Sequence, residues 1–212
     1  MKNIIKILFV IYIFSFPLKS FALIEVDITR GNLNPLPVAV SALSSSEKDK
    51  KILENKLDVK DLGLEISKIV ENNLRQSGLF NPLNKDAFLQ KPDIAHLKPR
   101  FEDWALIKAQ ALITGKVNLQ DDKLRVEFRL WDVLAGKEML ALAFTTVPKN
   151  WRRVGHIITD KVYERLTGEK GYFDTRIIYV SEEGPKTQRI KKLAIMDQDG
   201  ANNKFLTLGN EL

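Results

Sequence analysis

The sequence predicts an α+β fold: a mixed sheet of about five strands with two principal helices on one face, followed by an incomplete β-propeller blade. Three observations carry this. Two stretches, 62–74 and 151–166, repeat apolar residues at spacings of three and four, which collects them on one side of a helix. Between these stretches lie segments that alternate apolar and polar residues or are apolar throughout, as half-buried and fully buried strands are. After Gly171 the character changes to short β-rich runs separated by polar turns.

The first 22 residues read as a secretory signal peptide. Lys2 and Lys6 precede a ten-residue apolar stretch, Ile7 to Phe16, with Ser15 its one polar residue, which Pro17 breaks; Ser20-Phe21-Ala22 offers small residues where a signal peptidase inspects them. Such a run is too short to cross about 30 Å of hydrocarbon, which takes about 20 helical residues. Cleavage after Ala22 starts the mature chain at Leu23. Of the formal charge of +6, three units belong to Lys2, Lys6 and Lys19, so the mature chain is only mildly basic. With no dense basic run, nucleic acid is not an expected partner. There is no cysteine, which excludes disulfides, thiolate nucleophiles, thiolate metal sites and an acylated anchor.

Leu23 to Thr29 alternates, with Ile24, Val26 and Ile28 on one side and Glu25, Asp27 and Thr29 on the other, so it is expected to be a strand with one buried face. Arg30 to Pro35 is a loop by composition, and Leu36 to Leu43 a more apolar strand with Pro37 at its start or on an edge. Ser44 to Lys60 is charged, with Glu47/Lys51 and Lys50/Glu54 at i,i+4 spacing, and reads as a partly helical loop. Asp61 caps the first principal helix, Leu62, Ile66, Ile69, Val70 and Leu74 form its stripe, and Gly78 stops it. Gly63 in its first turn costs about 1 kcal/mol against alanine. Leu79 to Leu83 is an extended return to the sheet; Lys85 to Arg100 is irregular, and a short helix is expected around Phe101 and Trp104.

Ala109 to Val117 is nearly all apolar and reads as a central strand buried on both faces. Lys123 to Trp131 alternates without a fault, and Glu138 to Val147 follows a turn at Ala135-Gly136, so the three are expected to form an antiparallel meander. Trp151, Val154, Ile158, Val162 and Leu166, widened by Ile157, make the second principal stripe, with Asn150 as the N-cap and Gly168 as a left-handed stop. Arg152, Arg153, Asp160, Lys161, Glu164 and Arg165 fall on its solvated side. Arg176–Ser181, Lys191–Met196 and Lys204–Thr207 are short strands, with Asp197-Gln198-Asp199-Gly200 as a turn, which looks like one propeller blade. The expected organisation is a signal peptide over 1–22, an α/β domain over 23–168 and a truncated first blade over 169–212. A blade needs four strands and neighbours, so the chain is expected to be a shortened form of a longer one.

The residues that carry chemistry are few. His96 sits in a proline-bounded loop with no companion at motif spacing, and His156, off the apolar stripe, reads as a surface or boundary histidine. Asp197, Asp199 and Gly200 lack the later ligands of a calcium loop and read as a hairpin turn. Trp131 is on the polar side of its strand, covered by a neighbouring loop or presented as a contact surface. No G-x-S-x-G, P-loop or H-E-x-x-H occurs, and no catalytic, cofactor or metal residues are assigned.

Leu74-Arg75-Gln76-Ser77-Gly78-Leu79-Phe80-Asn81-Pro82-Leu83, Trp151-Arg152-Arg153 with His156 and Asp160, Leu166-Thr167-Gly168, and Gly171-Tyr172-Phe173-Asp174-Thr175-Arg176-Ile177 resemble the TolB family, the periplasmic members of the Tol–Pal system of Gram-negative bacteria. The last of these junctions is the most specific. The resemblance implies an N-terminal α/β domain before a six-bladed propeller, no enzymatic activity and no cofactor, and a monomer in the periplasm. It implies docking of the mature N-terminal segment on the C-terminal domain of TolA and binding of the lipoprotein Pal by the propeller, for drawing the outer membrane inward at division and keeping the envelope sealed. Nearly all of the propeller is absent, which puts Pal binding by this chain in question. The partner-binding residues are then expected to be Leu23, Ile24, Glu25, Val26, Asp27, Ile28 and Thr29, an extended segment able to add to the edge of another sheet. The alternative is an outer-membrane assembly or secretion accessory protein with a related α/β layer, usually lipid-anchored, for which this chain has no cysteine to acylate.

Overall fold

The structure, a computed structural model, describes residues 34–209. The signal segment and Leu23–Thr29 lie outside the described residues. In chain order the elements are β1 (Leu36–Val40), α1 (Glu47–Leu57), α2 (Leu62–Gln76), β2 (Phe80–Pro82), α3 (Pro92–Ala95), α4 (Phe101–Leu106), β3 (Ala111–Gln120), β4 (Lys123–Asp132), β5 (Lys137–Thr146), α5 (Trp151–Thr167), β6 (Arg176–Glu183), β7 (Ile190–Asp197) and β8 (Lys204–Phe205). Single 3₁₀ turns stand at Lys85–Ala87 and Pro148–Asn150.

Five strands form one mixed sheet in the order β2-β1-β3-β4-β5, and β6-β7-β8 form a second. β1 runs parallel to both β2 and β3, whereas β3, β4 and β5 make the expected antiparallel meander. β1 is flanked on both sides and covered on both faces, which is why Val38, Ala39 and Val40 are 0–2% exposed. β4 realises its alternation: Leu124, Val126, Phe128 and Leu130 are buried on one face. There they meet the stripes of α2 (Ile66, Val70, Leu74) and α5 (Val154, Ile158, Val162, Leu166) in one core. Both principal helices thus cover the same face. A smaller cluster under the opposite face gathers Ala95, Trp104, Leu112 and Val133, and α3 and α4 exist to close it.

The helix ends follow local chemistry. The Asp61 carboxylate accepts the Leu64 N–H at 3.0 Å. α1, expected as a partly helical loop, is a full helix whose Ser46 cap accepts the Asp49 N–H at 3.1 Å. α5 ends at Gly168 with φ 78°, its N–H on the Glu164 carbonyl. Asn150 does not cap α5 as expected: it sits in the preceding 3₁₀ turn, and its amide reaches Thr146 Oγ1 at 3.3 Å instead. Trp131 is covered rather than presented: its ring meets Phe101 edge-on at 5.8 Å, and its Nε1–H donates to Thr114 Oγ1 at 2.9 Å. The second sheet pairs β6 with β7 over eight residues and adds only a short β8, leaving Ile178, Phe205 and Leu208 exposed, as an incomplete blade does.

Candidate functional site at the seam between helix and blade

α5 presents a second lateral face beside its core stripe. Arg152, His156 and Thr159 lie on it at spacings of four and three, and the turn between β7 and β8 folds over them. The expectation for His156 is corrected here: it is 3% exposed, not a surface residue. It falls outside the apolar stripe because its neighbours are polar. Asn73 of α2 covers it from one side and Asp199 of the β7–β8 turn from the other.

The hydrogen bonds of this network determine one another. Thr159 Oγ1 donates to the Gly155 carbonyl at 2.9 Å and so accepts from Asn73 Nδ2 at 3.1 Å. The same Asn73 amide nitrogen faces His156 Nδ1 at 2.9 Å, and Asn73 Oδ1 accepts from Gln198 Nε2 at 2.8 Å. An amide N–H aimed at Nδ1 requires a lone pair there, which assigns the ring proton to Nε2. Burial pushes the imidazole pKa below the usual histidine range, against the neighbouring Asp199 charge, so His156 is neutral near pH 7.

Three guanidinium–carboxylate pairs stand around the ring: Arg152 on Asp199, Arg153 on Asp174 at 3.0 Å, and Arg176 on Asp197 at 3.5 Å. Asp160, expected on the solvated side of α5, turns back to accept the Phe173 and Asp174 N–H groups at 2.7 and 3.1 Å. Burial pushes its carboxyl above the usual range, and these two backbone bonds pull the other way. Phe173, 1% exposed, inserts into the main core against Tyr163, and Gly171 passes so close that a Cβ would lie 2.4 Å from Asp160 Cα. The junction residues 171–174 are therefore held by α5 itself.

His156, Asp197 and Asp199 are the one group among the described residues whose spacing suggests a metal, with ligand atoms within 4.8 Å of one another. The chemistry does not fit. Asp199 is engaged by Arg152 and the Ala201 N–H, Asp197 by Arg176 and the Asn202 amide, and His156 Nε2 carries the ring proton. A cation would have to compete with these four donors and displace the ring proton. His96, the other histidine, is half-buried, and its carbonyl accepts from Arg129 of β4 at 3.1 Å.

Sequence reasoning missed Asn73 and Gln198. Asn73 carried a signal: it follows Ile69 and Val70 at spacings of four and three and precedes Leu74, so it borders a buried stripe. Gln198 carried none, because its role depends on where the turn lands. The expected partner residues Leu23–Thr29 fall outside the described residues. No described helix is long and apolar enough to cross a membrane.

Comparison with known proteins agrees with this architecture. The chain matches the model of the TolB amino-terminal domain over residues 24–139. It is 78% identical over 209 residues to the Tol-Pal system protein TolB of Pelagibacter ubique (strain HTCC1062), covering 99% of this chain and 47% of that one, so the chain spans about half the length of that relative. Its fold is similar to the crystal structure of TolB from Acinetobacter baumannii, with a TM-score of 0.65 at 22% identity over 87% of this chain and 41% of that one. The match to the amino-terminal domain takes in more than half of the sequence, and on it the chain belongs to the TolB family.

Proposed function

We propose that this chain is a non-enzymatic periplasmic component of a Tol-Pal system, and that its mature N-terminal segment, Leu23–Thr29, docks on the C-terminal domain of TolA. The carrying observation is the 78% identity over 209 residues to a Tol-Pal system protein. The signal-like first 22 residues support export, with the α/β unit at 23–168 and the blade strands at 169–212 following in the mature chain. A structural rather than catalytic role is supported by the one histidine–carboxylate cluster among the described residues. There, Nδ1 of His156 is committed to Asn73, and the carboxylates to arginines, so no free base stands beside a nucleophile.

In this reading the protein links inner-membrane TolA to outer-membrane Pal, for inward movement of the outer membrane at division and for envelope integrity. In the same reading the Pal contact is made by a propeller. Leu23–Thr29 has one apolar and one polar side, and an extended segment of that kind gains backbone hydrogen bonds by joining a partner's open sheet edge. Calorimetry of the mature chain against the C-terminal domain of TolA tests this. Binding that disappears on deletion of Leu23–Thr29 is the expected result. Full-strength binding after the deletion refutes the docking segment, and no binding by the undeleted chain refutes the Tol-Pal assignment.

A further inference from the structure

The three ion pairs of the seam leave a remainder. A cavity of about 390 Å³ opens at the start of α5, between the helix and the β7–β8 turn, with Lys149, Arg152 and His156 among its walls. Two N–H donors at its floor are buried without a hydrogen-bond partner, Arg152 Nε and His156 Nε2. The Asn73 network makes the second a donor, not an acceptor, and its nearest carboxylate oxygen, on Asp199, is 3.7 Å away and already held by Arg152. Buried donors without acceptors are rare and mark places where something else supplies the oxygen.

The charges say what that oxygen belongs to. Asp199, Asp174 and Asp197 are each neutralised by an arginine, and Lys149 at the rim has no ion-pair partner among the described residues. The first turn of α5 contains no acidic residue, and the Asn150 side chain makes no cap bond, so the positive pole of a 17-residue helix faces the cavity unopposed. One positive charge is in excess. A divalent cation is excluded by the same count, and a dianionic phosphate oversteps it beside three resident carboxylates.

We infer that this cavity is a binding site for a single carboxylate group, received by the Arg152 Nε–H and His156 Nε2–H and balanced by Lys149. The carboxylate comes either from a small free acid or from an acidic side chain of a polypeptide, and the site's chemistry is the same for both. The inference does not depend on the Tol-Pal reading, since it rests on the geometry and charge of the seam, including Asn73 of α2 and Lys149 ahead of α5.

The test is a long-range ¹H–¹⁵N correlation spectrum of the mature chain, which resolves the ring nitrogens of its two histidines and the arginine Nε–H groups. His156 is expected as the Nε2–H form. Sodium acetate, with sodium chloride as the matched control, is expected to shift the Arg152 and His156 N–H signals saturably. Lys149→Met, an exposed substitution that leaves the fold alone, should weaken acetate by about threefold, the usual worth of one partly exposed charge. Arg152→Lys keeps a cation beside Asp199 but removes Nε–H and should abolish the saturable His156 shift. A capped peptide carrying glutamate distinguishes the source: tighter binding than acetate by tenfold or more assigns a polypeptide side chain, and equal binding assigns a free acid. Equal shifts with chloride, equal binding of the same peptide with glutamine in place of glutamate, a saturable response to zinc instead of acetate, or an undiminished response in Arg152→Lys overturns the site.

Discussion

Replacing Phe173 with alanine tests whether the residues after Gly168 belong to the folding unit before it. Phe173 is 1% exposed and part of the main core, with its ring edge-on to Tyr163 at 5.7 Å and stacked on Tyr172 at 4.5 Å. Removing a buried phenylalanine costs about 3–5 kcal/mol. The backbone N–H of residue 173 still reaches Asp160 in the variant, so the junction stays in place and the loss lies near the lower bound, about 3 kcal/mol. The assay is native-state hydrogen exchange of the mature chain in low urea, amide by amide. The slowest amides of β4 and α5 should lose that amount, because Phe173 is part of their core, and those of β6 and β7 should lose protection with them, because Phe173 ties the blade strands to that core. Amides of β4 and α5 unchanged within about 0.5 kcal/mol, with loss confined to the blade strands, would refute the reasoning and put the boundary back at Gly168.

Gly63→Ala sets two effects against each other. Helix propensity favours alanine by about 1 kcal/mol, but a Cβ there would lie 1.9 Å from the Leu43 carbonyl oxygen, in the backbone segment that also donates the Leu43 N–H to Gly63 at 3.2 Å. Backbone cannot swing aside as a side chain does, so a net loss of about 1–3 kcal/mol is expected from urea unfolding, and an unchanged or raised midpoint contradicts it. The pH dependence follows from His156. Its folded pKa is depressed by burial, so above about pH 6.5 neither state binds the proton, and below that the unfolded chain binds it first. Stability should therefore fall as pH drops from about 6.5 towards 5, and His156→Gln should remove that part of the slope; an identical slope in the variant refutes it.

How much of this was legible depended on range. The α2 and α5 stripes, the β4 alternation and the Gly168 stop are written within a few residues of themselves, and each appears where the local pattern places it. α1 was underestimated because only one of its residues, Leu53, is buried, so it carries little apolar periodicity, and Ser46 settles its start. The seam was least legible. Arg152 and Asp199, 47 residues apart, and Gln198 each look like ordinary surface residues alone, and Asn73, at the border of its stripe, gives no hint of Gln198, 125 residues away. Nothing in either segment names the other, and a helix facing another polar element has the same pattern as one facing water. Asp160 misled for the same reason: its partners are backbone N–H groups, which have no signature in sequence.

The composition of the seam bears on what it can do. Phe173 pins the junction into the core, with the half-exposed Tyr172 edge-on to Tyr163 beside it, whereas the contact between α5 and the β7–β8 turn consists of charge pairs and amides. Partly buried pairs contribute little net stability, because desolvation offsets their attraction, but they are specific: Arg152 accepts Asp199 in one register, and Asn73 can satisfy Thr159, His156 and Gln198 together only in that register. Such a contact defines one arrangement without holding it hard, as interfaces between units of one chain commonly do. A carboxylate bound beside Lys149 changes that balance. It binds only where the turn lies over His156, so it stabilises that arrangement by RT ln(1 + [L]/Kd), about 2.7 kcal/mol at a hundredfold excess over Kd. That is comparable with the pin at Phe173, so occupancy of a small polar cavity would decide whether helix and blade move as one body or two. The exchange experiment on Phe173→Ala repeated in saturating acetate measures this directly: protection of β7 amides should rise with occupancy in the wild type and stay flat in Arg152→Lys.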